Sequence, residues 1–271
     1  MGWFGLLSLA YGNIINTNTF GVKNAAAEER KIFLNDILNI GLVIADENEY
    51  SPLFDVFSDC EITEVLFGKL KANSIKMQVN GKTVVINAIR SGCGKVNAAV
   101  AASHLCESND IIINFGFAGS IFNYKVGDVI LGTCYLEHDF DISALGYEIA
   151  EKPNQEYVYF ANKKLLDAFK DVYKEAKECK IASGDSFVSE DATKDFLKNE
   201  LLCGACDMEA AAVAYAAYTY NKPFLSYKLI SDGADEDATE TYKESYDNKS
   251  DKLCVILRDL TEKLSEENFD F

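Results

Sequence analysis

Short apolar runs separated by polar and small residues mark most of the chain. Several runs consist of consecutive apolar residues, which is typical of strands buried on both faces of a sheet. Asn80-Gly81 favours a two-residue hairpin turn, so the runs on either side of it are expected to pair. The pattern predicts strands at Asn39–Ala45, Val65–Leu70, Ile75–Val79, Thr83–Arg90, Asp110–Phe115, Val129–Tyr135, Lys180–Phe187 and Pro223–Ile230.

Longer segments with helical spacing or many alanines alternate with these strands. Two segments rich in small residues, Ser91–Gly94 and Gly116–Gly119, are predicted as turns that follow strands. Because buried strands alternate with helices, the pattern predicts an α/β fold, a three-layer α/β/α sandwich with helices on both faces of a central mixed sheet. The predicted helices are Lys95–Cys106, Lys163–Lys177, Glu190–Lys198, Met208–Tyr220 and Ser250–Leu264.

One domain and an N-terminal extension are expected. Only three of the 271 residues are proline, and no stretch rich in serine, glycine or proline interrupts the middle of the chain, so no linker is predicted there. Residues 36–271 are therefore expected to fold as one unit. Residues 1–35 form the extension, whose longest apolar run, near Trp3–Ala10, is too short to span a membrane.

The charge balance narrows the choice of partners. The chain has 26 Lys and Arg residues against 43 Asp and Glu residues, which gives a formal net charge of −17. A surface this acidic repels phosphate backbones and anionic lipids, so neither a nucleic-acid partner nor a membrane partner is expected. The expected ligand is a small molecule that is not polyanionic.

Cysteine and histidine spacing indicates reduced thiols and no metal. Eight cysteines at irregular spacing in a chain of this length are typical of a cytoplasmic protein. Cys203-Gly-Ala-Cys206 has the spacing of a redox motif, but it lacks a second cysteine pair or nearby histidines, so neither a redox role nor a zinc role is favoured. His138–Asp141 likewise has no matching second cluster of ligands.

Three acidic residues lie where predicted strands end or a helix begins, which is where ligand sites of such sheets form. Asp232 follows an apolar strand beside small residues, so its carboxyl is expected to be desolvated and able to hold a proton for donation. The alternative is that Asp232 only stabilises a turn or caps a helix. Glu49 is either a base or a solvated loop acid. Glu209 precedes an apolar helix and is expected to bind a diol, the alternative being a favourable acid in a first helical turn.

The order of several motifs resembles the 5′-methylthioadenosine/S-adenosylhomocysteine nucleosidases, within the purine nucleoside phosphorylase superfamily. The resemblance covers about Ile40 to Leu264, and although each motif is weak alone, their shared order is specific. It implies a partly barrel-like central sheet and a nucleoside phosphorylase-like domain over residues 36–271. The motifs are Ile40–Ala45 with Glu49, Ser91–Ala99, Asn114–Gly119, Val126–Asp128, His138–Asp141 with Gly146–Glu148, Ser183–Phe187, Asp207–Ala210 and Ile230–Asp235.

The resemblance implies a hydrolase that releases adenine from 5′-methylthioadenosine or S-adenosylhomocysteine. Asp232 would protonate adenine N7, and Glu49 would deprotonate the attacking water. The expected substrate-binding residues are Glu209 and Met208 at the ribose, Phe187 and Val188 at adenine, Ile142, Leu145 and Tyr242 at the 5′-alkylthio group, and Phe117, Ser231, Lys228 and Cys93 elsewhere in the site. No metal or organic cofactor is expected, and the assembly is expected to be a homodimer.

Two other functions stay open at this point. A phosphorylase of this superfamily carries an arginine at the strand end occupied here by Asn114-Phe115; Phe115 cannot bind phosphate, which favours water, although Arg90 is a candidate substitute anion ligand. A nucleoside-binding protein without turnover is the other alternative. It is suggested by three departures from the nucleosidase pattern, which has serine, arginine and methionine at the positions of Phe117, Lys228 and Asp46.

Overall fold

A computed structural model describes residues 37–246 and 251–266 of the chain. The extension expected at residues 1–35 lies outside the described residues. The strands are β1 (Ile37–Ile44), β2 (Glu61–Phe67), β3 (Leu70–Val79), β4 (Lys82–Arg90), β5 (Ile111–Ser120), β6 (Val129–Glu137), β7 (Val158–Phe160), β8 (Lys177–Ser183), β9 (Ala205–Asp207) and β10 (Phe224–Asp232). The helices are α1 (Glu47–Tyr50), α2 (Pro52–Val56), α3 (Lys95–Cys106), α4 (Lys163–Val172), α5 (Asp191–Asn199), α6 (Ala210–Thr219), α7 (Ala238–Tyr246) and α8 (Asp251–Glu266), and Ser143–Leu145 forms a 3₁₀ turn.

The described strands form one mixed sheet that closes on itself at one end. Its order is β10-β6-β8-β9-β5-β1-β4-β3-β2, with β7 beside β6. A further parallel pairing joins β10 to β5, so β5, β10, β6, β8 and β9 form a closed ring. The ring contains both parallel and antiparallel neighbours. This arrangement confirms the predicted α/β fold with a central mixed, partly barrel-like sheet.

Helices cover both faces of the sheet. On one face, buried residues of α4 and α8 pack with those of the strands. On the other face, α3 and α6 pack against the sheet and each other, and their buried side chains are mostly alanines, which allow the two helices to lie close together. β5 runs between these layers with all ten residues buried. The continuous apolar run that predicted this strand therefore reflects burial on both faces.

Several predicted elements have the bounds that the structure shows. Helix α3 spans Lys95–Cys106 as predicted. The Asn80-Gly81 turn joins β3 and β4, which pair from Val79 opposite Lys82. Asn80 and Gly81 have φ values of 51° and 82°, the left-handed conformation that this kind of hairpin turn requires.

The predicted turn at Gly116–Gly119 is wrong, because β5 continues through these residues to Ser120. They pair with Lys228–Asp232 of β10, and Gly119 also pairs with Cys206 of β9. Small residues suggested a turn, but here they lie within a strand that other side chains approach closely. The cluster of small residues was therefore informative, but its interpretation as a turn was wrong.

Other bounds differ because pairing across the sheet overrides the local pattern. The helix predicted over Lys163–Lys177 ends at Val172, since Lys177 already begins β8. The three-residue strands β7 and β9 and the short helices α1 and α2 were not predicted, because elements this short give little periodic signal. The nine-residue helix α7 was not predicted either. Among the described residues, no helix combines the length and apolar character needed to cross a bilayer.

Helix α8 offers a direct test of the packing between the helical layer and the sheet. Leu257 is fully buried in the core, so Leu257→Ala is expected to lower the free energy of unfolding by about 2–5 kcal/mol. Val255, on the same helix, is 47% exposed, and Val255→Ala is expected to change the free energy of unfolding by less than about 0.5 kcal/mol. Urea denaturation of both variants measures this, and equal losses would contradict the packing described.

Candidate active site

One cleft lies where β5, β9 and β10 end and where α1 and α6 begin. Its total empty volume, counted out into the open mouth, is about 590 Å³. The structure brings ten of the thirteen expected site residues to its walls, namely Glu49, Cys93, Phe117, Phe187, Val188, Met208, Glu209, Ser231, Asp232 and Tyr242. Their roles are considered below. The walls also include Ala45, Asp46, Ala118, Gly119, Ser186, Cys206 and Asp207.

Glu49 enters the cleft from the short helix α1. Asp46 caps this helix: its side chain accepts the Asn48 N–H at 2.9 Å, and its own N–H donates to Glu49 Oε2 at 3.2 Å. Phe117 N–H donates to Glu49 Oε1 at 2.8 Å. Burial raises the pKa of Glu49, while the positive charge of Lys228 and these two N–H groups oppose the rise. Glu49 is therefore an oriented carboxyl group that accepts a proton more readily than a solvated glutamate does.

Asp232 is the last residue of β10 and lies opposite Gly119 of β5 in the sheet. Ser231 Oγ–H donates to Asp232 Oδ2 at 2.7 Å, and Ala234 N–H donates to Asp232 Oδ1 at 2.8 Å. Only 2% of the residue is exposed, and burial raises the pKa of its carboxyl despite these two hydrogen bonds. Asp232 therefore holds a proton more readily than a solvated aspartate does, which is the direction that a general acid requires.

Two glycines of β5 explain how both acids fit. A Cβ atom at Gly116 would lie 2.7 Å from Glu49 Oε1, and one at Gly119 would lie 3.0 Å from Asp232 Oδ1. Residues 116 and 119 are three strand positions apart, a separation of about 10 Å. Glu49 and Asp232 thus approach one strand at two points, and both line the same cleft.

Glu209 lies at the N-terminus of α6, where it is the residue before the first helical turn. Its Oε1 accepts the Gly94 N–H at 2.9 Å, and only 6% of the residue is exposed. Burial raises its pKa, and the nearby Asp207 adds to the rise, whereas Lys228 and the Gly94 N–H oppose it. Within the part of the chain that the structure describes, no group hydrogen-bonds its other oxygen, and Glu209 lines the cleft beside Met208.

Lys228 and Asp207 form a buried ion pair behind this wall. The Lys228 Nζ lies 2.7 Å from Asp207 Oδ2, and each side chain is 1% exposed. Asp207 contributes to the cleft wall, but Lys228 does not. Direct contact between Lys228 and a substrate, which the sequence led us to expect, therefore has no support in this arrangement. The sequence analysis named Asp207 only as part of a motif, and it did not predict the ion pair with Lys228.

Three aromatic rings line one side of the cleft. The Tyr242 ring of α7 lies edge-on to Phe117, with ring centroids 6.2 Å apart, and edge-on to Phe187, with centroids 5.6 Å apart. Val188 is buried beside them, and Cys93 lines the wall near the acids, where burial raises its thiol pKa. The cleft thus combines an acidic half with an apolar, aromatic half.

Ile142 and Leu145 lie outside the residues that form the cleft walls. Leu145 belongs to the 3₁₀ turn and is 74% exposed. Arg90, the candidate anion ligand, also lies outside the walls and pairs with Glu47. Within this single chain, then, the expected 5′-group residues are divided: Tyr242 is in the cleft, while Ile142 and Leu145 are not.

Comparison with known proteins agrees with this geometry. The sequence model of the phosphorylase superfamily matches residues 39–262. A 5′-methylthioadenosine/S-adenosylhomocysteine nucleosidase of Desulfotalea psychrophila is 30% identical over 238 residues, covering 84% of this chain and 99% of that protein. The chain belongs to this nucleosidase family of the phosphorylase superfamily. The predicted family resemblance is confirmed.

Solved structures of nucleosidases resemble this one over most of the chain. A mutant Helicobacter pylori nucleosidase with 5′-methylthioadenosine in its active site has a TM-score of 0.76 and 26% identity, covering 82% of this chain and 97% of that one. The futalosine hydrolase of Helicobacter pylori has a TM-score of 0.75 and 26% identity, with the same coverage of both chains. The nucleosidase fold therefore accounts for nearly all of the described residues.

The raised pKa of Asp232 predicts a pH-dependent difference between this nucleosidase and its Asp232→Asn variant. As pH rises from about 4, the unfolded chain loses the Asp232 proton at its ordinary pKa of 3.8, whereas the folded protein retains it to higher pH. The wild type thus loses stability relative to the variant until pH passes the folded pKa. We expect the variant to melt at or above the wild-type temperature at pH 7, with a smaller gap at pH 4. A gap that does not vary with pH would contradict the burial of this acid.

Proposed function

We propose that the protein hydrolyses the N-glycosidic bond of 5′-methylthioadenosine and S-adenosylhomocysteine, releasing adenine and the thioribose. The observation that carries this proposal is the presence of two desolvated acids, Asp232 and Glu49, on the walls of one cleft. The names of relatives that match nearly their whole length support the substrate class.

Asp232 acts as the general acid in this proposal. It donates its proton to adenine N7 while the C1′–N9 bond breaks, and the bonding electron pair leaves with the base. The sugar is left with oxocarbenium character, as in other glycoside hydrolyses. Water then attacks C1′, and Glu49 accepts the proton that the water loses. Proton transfer of this kind contributes about 10²- to 10⁴-fold in rate.

The remaining walls orient the nucleoside. Glu209 accepts hydrogen bonds from the ribose hydroxyls, and Met208 packs beside the sugar. Phe187 stacks on adenine while the backbone at Val188 binds its edge. Ser231 supports the acid, since its hydroxyl already donates to Asp232. Phe117 and Cys93 complete the walls near Glu49.

Water rather than phosphate is the proposed nucleophile. Among the described residues that line the cleft, none is lysine, arginine or histidine, so no cation there would bind a phosphate dianion. Phe115 is 1% exposed and packed in the core rather than at the cleft. Arg90 is engaged by Glu47. Buried carboxylates at the cleft would also repel an anionic nucleophile.

A homodimer completes the proposal. Ile142 and Leu145 are expected near the 5′-alkylthio group but lie outside this chain's own cleft walls, and Leu145 is an exposed leucine that a second subunit would cover. We place the enzyme in the cytoplasm, where eight cysteines that form no disulfide in the described residues fit a reducing environment. There it would recycle products of methionine metabolism.

The assay for this function is adenine release from 5′-methylthioadenosine in phosphate-free buffer. The wild type is expected to release adenine, and Asp232→Asn is expected to lower kcat by about 10²- to 10⁴-fold because the leaving base is no longer protonated. Asp167→Asn is the control: this exposed residue of α4 pairs with Lys163, does not line the cleft, and should leave kcat within a few-fold. A requirement for phosphate, or near-normal kcat in Asp232→Asn, would refute the proposal.

The homodimer has its own test. Sedimentation velocity is expected to give the mass of two chains, and Leu145→Ser is expected to raise KM for 5′-methylthioadenosine by about tenfold or more, since a buried leucine contributes about 1.5–3 kcal/mol. Leu202→Ser, a change at another exposed leucine, is the control and should leave KM unaltered. A monomeric, fully active wild type would show that one chain forms the whole site.

A further inference from the structure

Lys228 lies in β10 and is the largest charged side chain that is fully buried. Its Nζ contacts Asp207 at 2.7 Å, and carboxylates from three places in the fold face it: Asp207 of β9, Glu209 before α6 and Glu49 of α1. Burial by itself lowers the pKa of Lys228, but these three carboxylates raise it overall, so the side chain stays positively charged.

Asp207 connects this cation to the start of helix α6. Its Oδ2, which contacts Lys228, also accepts the Ala210 N–H at 3.0 Å. Its Oδ1 accepts the Ser183 hydroxyl at 2.5 Å, and Ser183 Oγ in turn accepts the Ala211 N–H at 2.8 Å. The first N–H groups of α6 are thus held by Asp207 and Ser183.

This capping leaves Glu209 available to the cleft. Glu209 occupies the position where a helix would ordinarily use its own side chain as a cap, yet it makes no such cap bond. Its carboxylate accepts the Gly94 N–H instead and lines the cleft. The Glu209 orientation therefore depends on a cap that another residue supplies.

We propose that Lys228 is a positioning residue that acts through Asp207: it holds Asp207 as the cap of helix α6 and so fixes Glu209 toward the substrate. Lys228 does not touch the substrate in this proposal. This inference rests on the proposed hydrolysis for the role of Glu209. It goes beyond that proposal because it assigns a function to a cation that lies outside the cleft walls.

Lys228 also sets the charge of the acids at the cleft. Its positive charge lowers the pKa of both Glu49 and Glu209, so that each is more readily ionised than burial alone would allow. Removing the Lys228 charge should raise the pKa of both carboxyl groups. The other ionisable groups that face Asp207 are His138, Cys206 and Tyr135.

The test is a double-mutant cycle of Lys228→Met and Asp207→Asn, read as kcat/KM for 5′-methylthioadenosine across pH. Each single variant is expected to lose on the order of 10²-fold, because misplacing a binding group costs about that much. The double variant should lose about as much as either single variant, since both changes break one interaction. Lys228→Arg, which keeps the charge, should stay within about tenfold of the wild type.

The pH profile separates positioning by charge from a purely structural effect. In Lys228→Met the acid limb of kcat/KM should move up by about one pH unit or more, because removing an opposite charge raises a carboxyl pKa by that order. In the double variant, which loses one charge of each sign, the limb should return toward the wild-type position. Lys180→Met is the control. Lys180 donates a hydrogen bond to the Leu201 carbonyl oxygen and does not line the cleft, so this variant should leave the pH profile unchanged.

Two outcomes would overturn the inference. A double variant that loses the product of the two single losses, about 10⁴-fold, would show that Lys228 and Asp207 act independently. An acid limb that does not move in Lys228→Met would show that the Lys228 charge does not act on the carboxyl groups of the cleft. Thermal melting provides a readout that does not need activity: the double variant should melt above both single variants, and if Lys228→Met does not fold, the double variant and Lys228→Arg still should. A wild type that releases no adenine refutes the proposed function, whereas the melting cycle then still tests the Lys228–Asp207 coupling.

Discussion

Four acidic side chains lie around one cleft with little solvent contact, and their desolvation governs how the surrounding elements are built. Glu49, Asp207, Glu209 and Asp232 are each no more than 8% exposed. A buried carboxylate is tolerated only when hydrogen bonds or an opposite charge replace the lost water. Here Glu49 and Asp232 each accept two hydrogen bonds, at least one of them from a backbone N–H, and Lys228 pairs with Asp207. The hydrogen bonds offset burial only in part, which leaves Asp232 able to hold a proton.

Closure of the sheet is what brings these acids together. The β5–β10 pairing places the end of β10, with Asp232, beside Gly119, and the β5–β9 pairing places Asp207 on the other side of the same strand end. Glu49 reaches β5 from α1 through the Phe117 N–H. Residues separated by more than 180 positions in the chain therefore line one cleft, and a glycine lies at each point where Glu49 or Asp232 approaches β5.

Local pattern was sufficient for the elements that are long and uniformly apolar or regularly spaced. The strand β1, helix α3 and the Asn80-Gly81 hairpin follow from side-chain periodicity and turn geometry alone. It was not sufficient for β9 or for the Gly116–Gly119 part of β5, because three residues carry no period and because small residues indicate a turn and a close approach equally well. The acids of the site could be named from their motifs, but the pairing of Lys228 with Asp207 depends on three-dimensional proximity that one sequence does not encode locally.

The central claim is that water adds to the sugar of a nucleoside held between Glu49 and Asp232. The most direct measurement is turnover of 5′-methylthioadenosine by the wild type and by Glu49→Gln, with and without phosphate, followed by mass spectrometry of the sugar product. The account predicts free thioribose at a rate that phosphate does not alter, and a kcat about 10²- to 10⁴-fold lower in Glu49→Gln. A sugar 1-phosphate, or near-normal kcat in Glu49→Gln, would contradict it.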